Sequence, residues 1–468
     1  MNMKLPTSIS SLTRVHCIGI GGIGVSAAAK YLHELGIVVS GSDASDSEIV
    51  AEVRKLGIAV FMGEDAESVP TDASLVIYSP AVQPTHAERV RAKQLNIPEM
   101  SYPEFLALLS QKKYTIAVTG THGKSTTTAL IGSILKNAGF DPTVIVGSRC
   151  PMFSHGNLNF GSSNILVVEA CEYQGNMRLL HPNIAVVTNI EWDHPDYYKD
   201  ADAVYQTMQQ FVSGLPTDGV LVKNYDDKLV RGKLHFGGKT VTVGLAEGAN
   251  LAATDILTHS GASYFTVAIP VKSKFTDQRF SLRVPGRFNI SNALSAIAVA
   301  AEMNVPLERI QSTLAEFRGI WRRFEVVGTW RGATVISDYA HHPTAVRATI
   351  QAAREWYPGQ RIVAVYQPHQ HARTKELFAD FVDAFHGADL TLMSDIYDVQ
   401  GREEIQHQDI TSATLVAAIQ KSNARDAVHA TGDLRHTQAR LREVVQKDDV
   451  ILIMGAGDID TLARKLVK

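Results

Sequence analysis

Thr119-Gly120-Thr121-His122-Gly123-Lys124-Ser125-Thr126 stands between an apolar stretch, Tyr114 to Thr119, and a helix-patterned one, Ser125 to about Asn137. A glycine loop in that position lets backbone N–H groups approach phosphate oxygens, and the following helix N-terminus adds partial positive charge. Lys124 is expected to neutralise β- and γ-phosphates, and the Ser125 hydroxyl to ligate Mg²⁺. The full phosphate-loop spacing asks for glycine at position 118, where valine stands, so the strand–loop–helix context carries the reading. Leu130, Ile131, Ile134 and Leu135 supply the helix's apolar face, and Gly139 follows its end.

Upstream, Val15 to Ile20 reads as a strand, Gly21 to Leu35 as a turn and helix, and Ile37 to Ser40 as a strand, with Gly36 where a terminating glycine belongs. Gly19-Ile20-Gly21-Gly22-Ile23-Gly24, with Asp43 after the next strand, is a dinucleotide-binding fingerprint: glycines admit a pyrophosphate and the acid can hold a ribose. Alone it suggests NAD and an oxidoreductase. Beside a second phosphate loop it suits the diphosphate of another nucleotide; a tight turn without ligand is the plain alternative. Leu75 to Tyr78 and the helical Pro84 to Leu95 continue the alternation that builds parallel sheets. Polarity rises at Gln111-Lys112-Lys113, which sets the first boundary.

Downstream, buried-type strands Ile165 to Val168 and Ile184 to Thr188 end in Glu169-Ala170-Cys171-Glu172 and Asn189-Ile190-Glu191-Trp192-Asp193-His194. Carboxyl ends of parallel strands are where such sheets place ligands. Glu169 and His194 could hold a second Mg²⁺ there, although Mg²⁺ prefers oxygen and a structural histidine is the alternative. A β-rich insertion is expected between Gly219 and Pro285, then a helix from Asn289 to Glu302. A third unit starts near Phe317-Arg318-Gly319, with strands Arg361 to Tyr366, Leu390 to Met393 and Val450 to Met454. It carries Asp338-Tyr339-Ala340-His341-His342-Pro343 and Gln367-Pro368-His369-Gln370-His371-Ala372-Arg373-Thr374, a cluster suited to a charged substrate or to solvated loops. Adjacent His341 and His342 cannot easily share one zinc ion, and no thiolate joins them.

The bulk numbers agree with this reading. A chain of 468 residues exceeds one ordinary core, and 45% hydrophobic with 20% charged residues is a globular balance. A formal charge of −3 argues against a surface dominated by nucleic acid. Three scattered cysteines make neither a disulfide framework nor a metal cage, which points to a reducing, cytoplasmic setting. Met1 to Thr13 lacks the apolar run of a signal peptide, and no run reaches the roughly 18 apolar residues of a membrane helix. Oligomeric state is not legible.

Taken together, the motifs resemble the Mur ligase family across essentially the whole chain. They are Gly-Thr-x-Gly-Lys-Ser, the Glu169 strand end, Asn189-x-x-x-Asp193-His194 and Gly286-Arg287-Phe288-Asn289-Ile290-Ser291-Asn292. The resemblance implies a three-domain α/β architecture. A Rossmann-like UDP-sugar-binding domain spans 1–112, a P-loop ATPase-like domain 113–316, and a Rossmann-like amino-acid-binding domain 317–468. Within the family, Thr121-His-Gly-Lys124, Asp338-Tyr-Ala-His-His-Pro-Thr344 and Gln367-Pro-His-x-x-x-Arg-Thr374 are similar to the member that adds L-alanine to UDP-N-acetylmuramate. The ligase of murein recycling, which attaches a tripeptide, shares the His-His-Pro-Thr stretch and is the alternative. Members adding later residues carry a modified lysine after the Asp-His motif, and residues 200–222 contain none.

The implied chemistry is ATP-driven amide formation through an acyl phosphate, with Lys124, Glu169 and His194 catalytic and Ser125, Glu169 and His194 on Mg²⁺. The implied ATP contacts are Gly120, Thr121, His122, Gly123, Lys124, Ser125, Thr126, Asn289, Asn292, Arg323 and Asp338. Gly21, Gly22, Ile23, Gly24, Ser42, Asp43 and Ser79 would hold the UDP-sugar, and Tyr339, His341, His369 and Arg373 the acceptor. Partners would be UDP-N-acetylmuramate and L-alanine, with neither nucleic acid nor membrane. Phe288 stands where the alanine-adding member commonly has histidine, and Gln370 where it has arginine.

Overall fold

The computed structural model describes residues 9–259, 261–271, 274–398, 409–423 and 427–468. Its strands fall into three sheets. The first has five parallel strands in the order Ala59–Met62, Val38–Asp43, Arg14–Ile18, Leu75–Tyr78, Glu99–Ser101. Chain direction across this sheet reverses between Arg14–Ile18 and Leu75–Tyr78, which opens a crevice at their carboxyl ends. The glycine turn leaves one of these strands and Ser79 the other. A Cβ on Gly19 would lie 3.1 Å from that of Ser79. The strand ends at Ile18 and the helix Ile23–Glu34 begins at Ile23, both tighter than the sequence suggested, because Gly19 turns with φ 77°.

The second sheet has ten strands, with Tyr114–Thr119 between Ile184–Val187 and Ile165–Glu169 and parallel to both. These strands are buried nearly throughout, as fits a sheet covered on both faces. The phosphate loop follows Tyr114–Thr119, and its glycines are required by space and by conformation. At Gly120, φ 131°, a Cβ would sit 2.0 Å from Thr188 Oγ1; at Gly123, φ 84°, it would sit 2.4 Å from Asn292 Oδ1. Helix Lys124–Asn137 then packs along helix Arg287–Glu302, and both contribute to one apolar core. The β-rich insertion extends this sheet by the antiparallel strands Leu251–His259, Ala262–Val271 and Lys274–Leu282.

The third sheet runs Glu325–Trp330, Ala333–Asp338, Val450–Met454, Ile362–Tyr366, Leu390–Ser394, Val428–Gly432. Its first strand is antiparallel and partly exposed, an edge that the sequence reading did not anticipate. The others are parallel. Among the described residues no helix is long and apolar enough to cross a membrane.

Candidate active site

The loop is clasped from the neighbouring strand end. Asn189 Oδ1 accepts from His122 N–H at 2.8 Å, and its side-chain amide donates to His122 O at 3.0 Å. Thr121 Oγ1 donates to Glu191 O and accepts from Glu191 N–H. Thr188 Oγ1 donates to His122 O at 2.6 Å. These reciprocal bonds fix the loop before any ligand binds, which spares ordering entropy on binding.

Lys124 opens the helix, and its ammonium donates to Gly120 O at 2.6 Å and Thr121 O at 3.1 Å. It also lies 2.8 Å from Glu172 Oε2, while Glu172 Oε1 stands 3.3 Å from His194 Nε2. Burial alone would push the Glu172 carboxyl up, but Lys124 and His194 hold it down at about 2. Burial likewise opposes the Lys124 charge, and Glu172, Cys171 and Glu169 keep its pKa above the ordinary lysine value. Glu172 is therefore the acid that joins the loop lysine to His194. The sequence reading quoted it but selected Glu169, whose carboxylate instead accepts from Gly147 N–H at 2.8 Å. The signal was available: two glutamates three residues apart, with no spacing rule to choose between them. His194 adopts φ 55°, a left-handed backbone held by Asp193 Oδ1 on its own N–H, and such conformations concentrate at functional sites.

A cavity of about 220 Å³ opens beside the loop. Its walls include His122, Thr126, Phe288, Asn289, Asn292 and, from the third sheet's domain, Arg323, Asp338 and Thr344. Asn289 donates to Pro285 O, and Asn292 donates to Asn289 Oδ1, so the amide pair is rigid. Asp338 accepts backbone N–H bonds from Phe324 and Ala340, both at 2.7 Å; burial nevertheless raises its carboxyl pKa. Arg323 lies over the Tyr339 ring at 5.0 Å.

The third domain meets the second through Asp193. Arg373, only 3% exposed, donates Nε–H to Asp193 Oδ1 at 2.9 Å, and its Nη1 donates to His369 O and reaches His369 Nδ1. Asp193 Oδ2 lies 3.7 Å from His341 Nε2. Burial would raise the Asp193 carboxyl, yet Arg373 and His341 hold it well below the usual range. Adjacent His341 and His342 point to different partners, Asp193 and Glu191. Asp193 was quoted in the sequence motif without a role, because its partner lies 180 residues away. Gln370, in place of the arginine of the resembling member, adopts φ 71° and donates its N–H to Tyr397 O.

In the first domain Asp43 turns inward, Oδ2 accepting from Gly21 N–H at 2.8 Å and Oδ1 from Ser45 N–H at 3.0 Å. Ser42 donates to buried Glu88, which also bonds His16.

Burial lowers the imidazoles of His341 and His342 to about 4 and of His369 to about 3, against about 6.5 in an unfolded chain. The unfolded chain thus binds more protons over pH 4–6.5, so stability is full above that window and lost as pH falls through it. With chelator present, the unfolding free energy is expected to drop between pH 7 and 5.5 by on the order of 1 kcal/mol per imidazole, and the melting temperature with it. A flat profile in calorimetry would contradict the burial of these rings.

A glycine-turn domain, a phosphate loop and a third domain meeting at strand carboxyl ends define a three-domain nucleotide-binding protein. Residues 14–114 match the family model described as "Mur ligase family, catalytic domain", residues 118–300 "Mur ligase middle domain", and residues 322–457 "Mur ligase, glutamate ligase domain". A UDP-N-acetylmuramate–L-alanine ligase of Geobacter sp. (strain M21) is 40% identical over 453 residues, 96% of this chain and 95% of the relative. The protein of that name from Geotalea uraniireducens (strain Rf4) is 39% identical, over 97% and 98% of the two chains. The crystal structure of a UDP-N-acetylmuramate–alanine ligase from Thermotoga maritima superposes with TM-score 0.81 at 28% identity, covering 97% and 98%. A murein peptide ligase from Psychrobacter arcticus 273-4 shares the fold, with TM-score 0.71 at 22% identity over 97% and 98%. The chain belongs to the Mur ligase family.

Proposed function

We propose that the chain joins the carboxylate of UDP-N-acetylmuramate to L-alanine at the expense of ATP. The observation that supports this most is end-to-end similarity to ligases of that name, at 40% identity over 96% of the chain. A carboxylate is a poor electrophile, so it must first be activated. Its oxygen attacks the γ-phosphorus, ADP leaves, and the acyl phosphate then takes the alanine amine, releasing phosphate and a proton. Lys124 would spread the transferring charge, and the loop and closing third domain would hold the reactants in line and keep water from the acyl phosphate. Phe288, 38% exposed on the cavity wall, offers a flat face for the adenine where the alanine-adding member commonly has histidine. The oxygen donors Ser125, Glu169 and Glu172 suit Mg²⁺, with His194 beside Glu172. Bound there, Mg²⁺ would neutralise phosphate oxygens.

A coupled ADP-release assay tests the reading. ADP formation is expected only with UDP-N-acetylmuramate and L-alanine together; activity with a tripeptide and not alanine would assign the recycling reaction instead. The first domain is expected to bind the UDP-sugar. Titration calorimetry of the full chain should show binding of UDP-N-acetylmuramate and none of NADH; the reverse result would turn the glycine turn over to a nicotinamide cofactor.

A further inference from the structure

We propose that His122, Glu191 and His342 form a binding site for a transition-metal ion of the Zn²⁺ class, bridging the second and third domains. The three side chains offer one donor atom each, all within 4.8 Å of one another. Glu191 Oε2 lies 3.2 Å from His122 Nε2 and 3.4 Å from His342 Nδ1. With metal–donor bonds of about 2.0–2.1 Å, a tetrahedral site has edges of about 3.3 Å, so two edges already have the required length. A modest approach of the two rings, now 4.9 Å apart at their centroids, closes the third.

The tautomer of His342 points the same way. Its Nε2 faces Trp192 O at 3.2 Å, and a carbonyl only accepts, so Nε2 carries the proton. Nδ1 then presents a lone pair, which takes a long bond from Thr344 N–H and otherwise confronts the Glu191 carboxylate. Two acceptors facing each other are unfavourable unless a cation lies between them. A ligating histidine whose second nitrogen donates to a backbone carbonyl is the usual supporting arrangement around protein-bound metals. Two imidazoles and one carboxylate select Zn²⁺, Ni²⁺ or Cu²⁺ over Mg²⁺, which prefers oxygen alone. None of its three ligands is among Ser125, Glu169, Glu172 and His194, and it does not depend on the ligase reading.

Its position gives it a consequence. His342 caps helix Pro343–Trp356, whose first turns wall the cavity through Thr344, Ala345 and Ala348, while His122 belongs to the phosphate loop. An ion here pins that wall to the loop and holds the cavity closed, so Zn²⁺ slows nucleotide exchange.

Chelator-stripped full-length protein titrated with ZnCl2, without nucleotide, is expected to bind one ion per chain and to melt at a higher temperature. His342→Asn keeps a good helix cap while removing the ligand, and Glu191→Gln removes the carboxylate charge. Each is expected to weaken ZnCl2 binding at least about tenfold, whereas excess MgCl2 should shift it less than about twofold. CoCl2 should give the visible bands of a four-coordinate ion in the native chain and lose them in His342→Asn. Binding that survives both substitutions, that yields to MgCl2, or that gives a six-coordinate cobalt spectrum overturns the proposal. Should His342→Asn fail to fold by circular dichroism, the Glu191→Gln titration decides alone.

Discussion

Lys124→Ala is expected to lower ATP-dependent turnover by roughly 10³-fold or more, because the phosphoryl transition state loses its main fixed cation. The structure adds a complication. Lys124 and Glu172 are a buried pair 2.8 Å apart, with Glu172 only 3% exposed, and removing one partner of such a pair costs about 3–5 kcal/mol. The Glu172 carboxyl, held near 2 by Lys124 and His194 against its burial, would rise once the ammonium is gone. Loss of activity in the single variant therefore mixes chemistry with stability. The double variant Lys124→Ala, Glu172→Gln separates them: neutralising the orphaned acid should recover most of the melting temperature while leaving turnover at the level of the single variant. Near-normal ADP release in either variant would sink the phosphate-transfer role of the loop. Recovery of activity together with stability would mean that Lys124 serves only to neutralise Glu172.

What could be read in the sequence was local. The loop from Thr119 to Thr126 declares itself because phosphate binding is done by consecutive backbone groups, and the glycine turn from Gly19 to Gly24 does so for the same reason. Buried parallel strands such as Val450–Met454 are uninterrupted apolar runs and were legible within a residue or so. The edge strand Glu325–Trp330 was not, since a half-exposed strand with a glycine bulge near Gly328 breaks the alternation that marks strands. At the site, the same division holds. The motifs around Glu169, His194 and His341 were found, but the pairings were not: Lys124 with Glu172 spans 48 residues, and Arg373 with Asp193 spans 180. Charge partners that meet only through strand pairing within a domain, as Lys124 and Glu172 do, or across two domains, as Arg373 and Asp193 do, leave no periodicity in the chain. The substitution of Gln370 at a position with φ 71° is equally silent, because backbone conformation there is set by the Tyr397 carbonyl rather than by neighbours in sequence.

Arg373→Lys is the second large expectation. Free alanine presents a carboxylate, an ammonium and a methyl group, so its recognition calls for a cation of fixed geometry and a small pocket. A guanidinium can grip a carboxylate through two parallel bonds, which an ammonium cannot copy. With Gln370 standing where the resembling ligases have arginine, Arg373 is the guanidinium left in this stretch for that task. Its Nε is committed to Asp193 and its Nη1 to His369, which fixes the plane of the fork against the second domain. These commitments leave Nη2 for the alanine carboxylate, so lysine would lose both that oriented contact and the anchor. The alanine KM is expected to rise roughly tenfold to a hundredfold, the equivalent of about 1.5–3 kcal/mol for a charge-assisted bond, with the KM values for ATP and UDP-N-acetylmuramate little changed. Asp193→Asn provides the control. It keeps the shape of the contact but weakens the anchor, so kcat should fall with a smaller rise in alanine KM. Equal effects of the two substitutions on every kinetic constant would make Arg373 a domain-closing residue alone. A rise confined to the UDP-N-acetylmuramate KM would move it to the donor site.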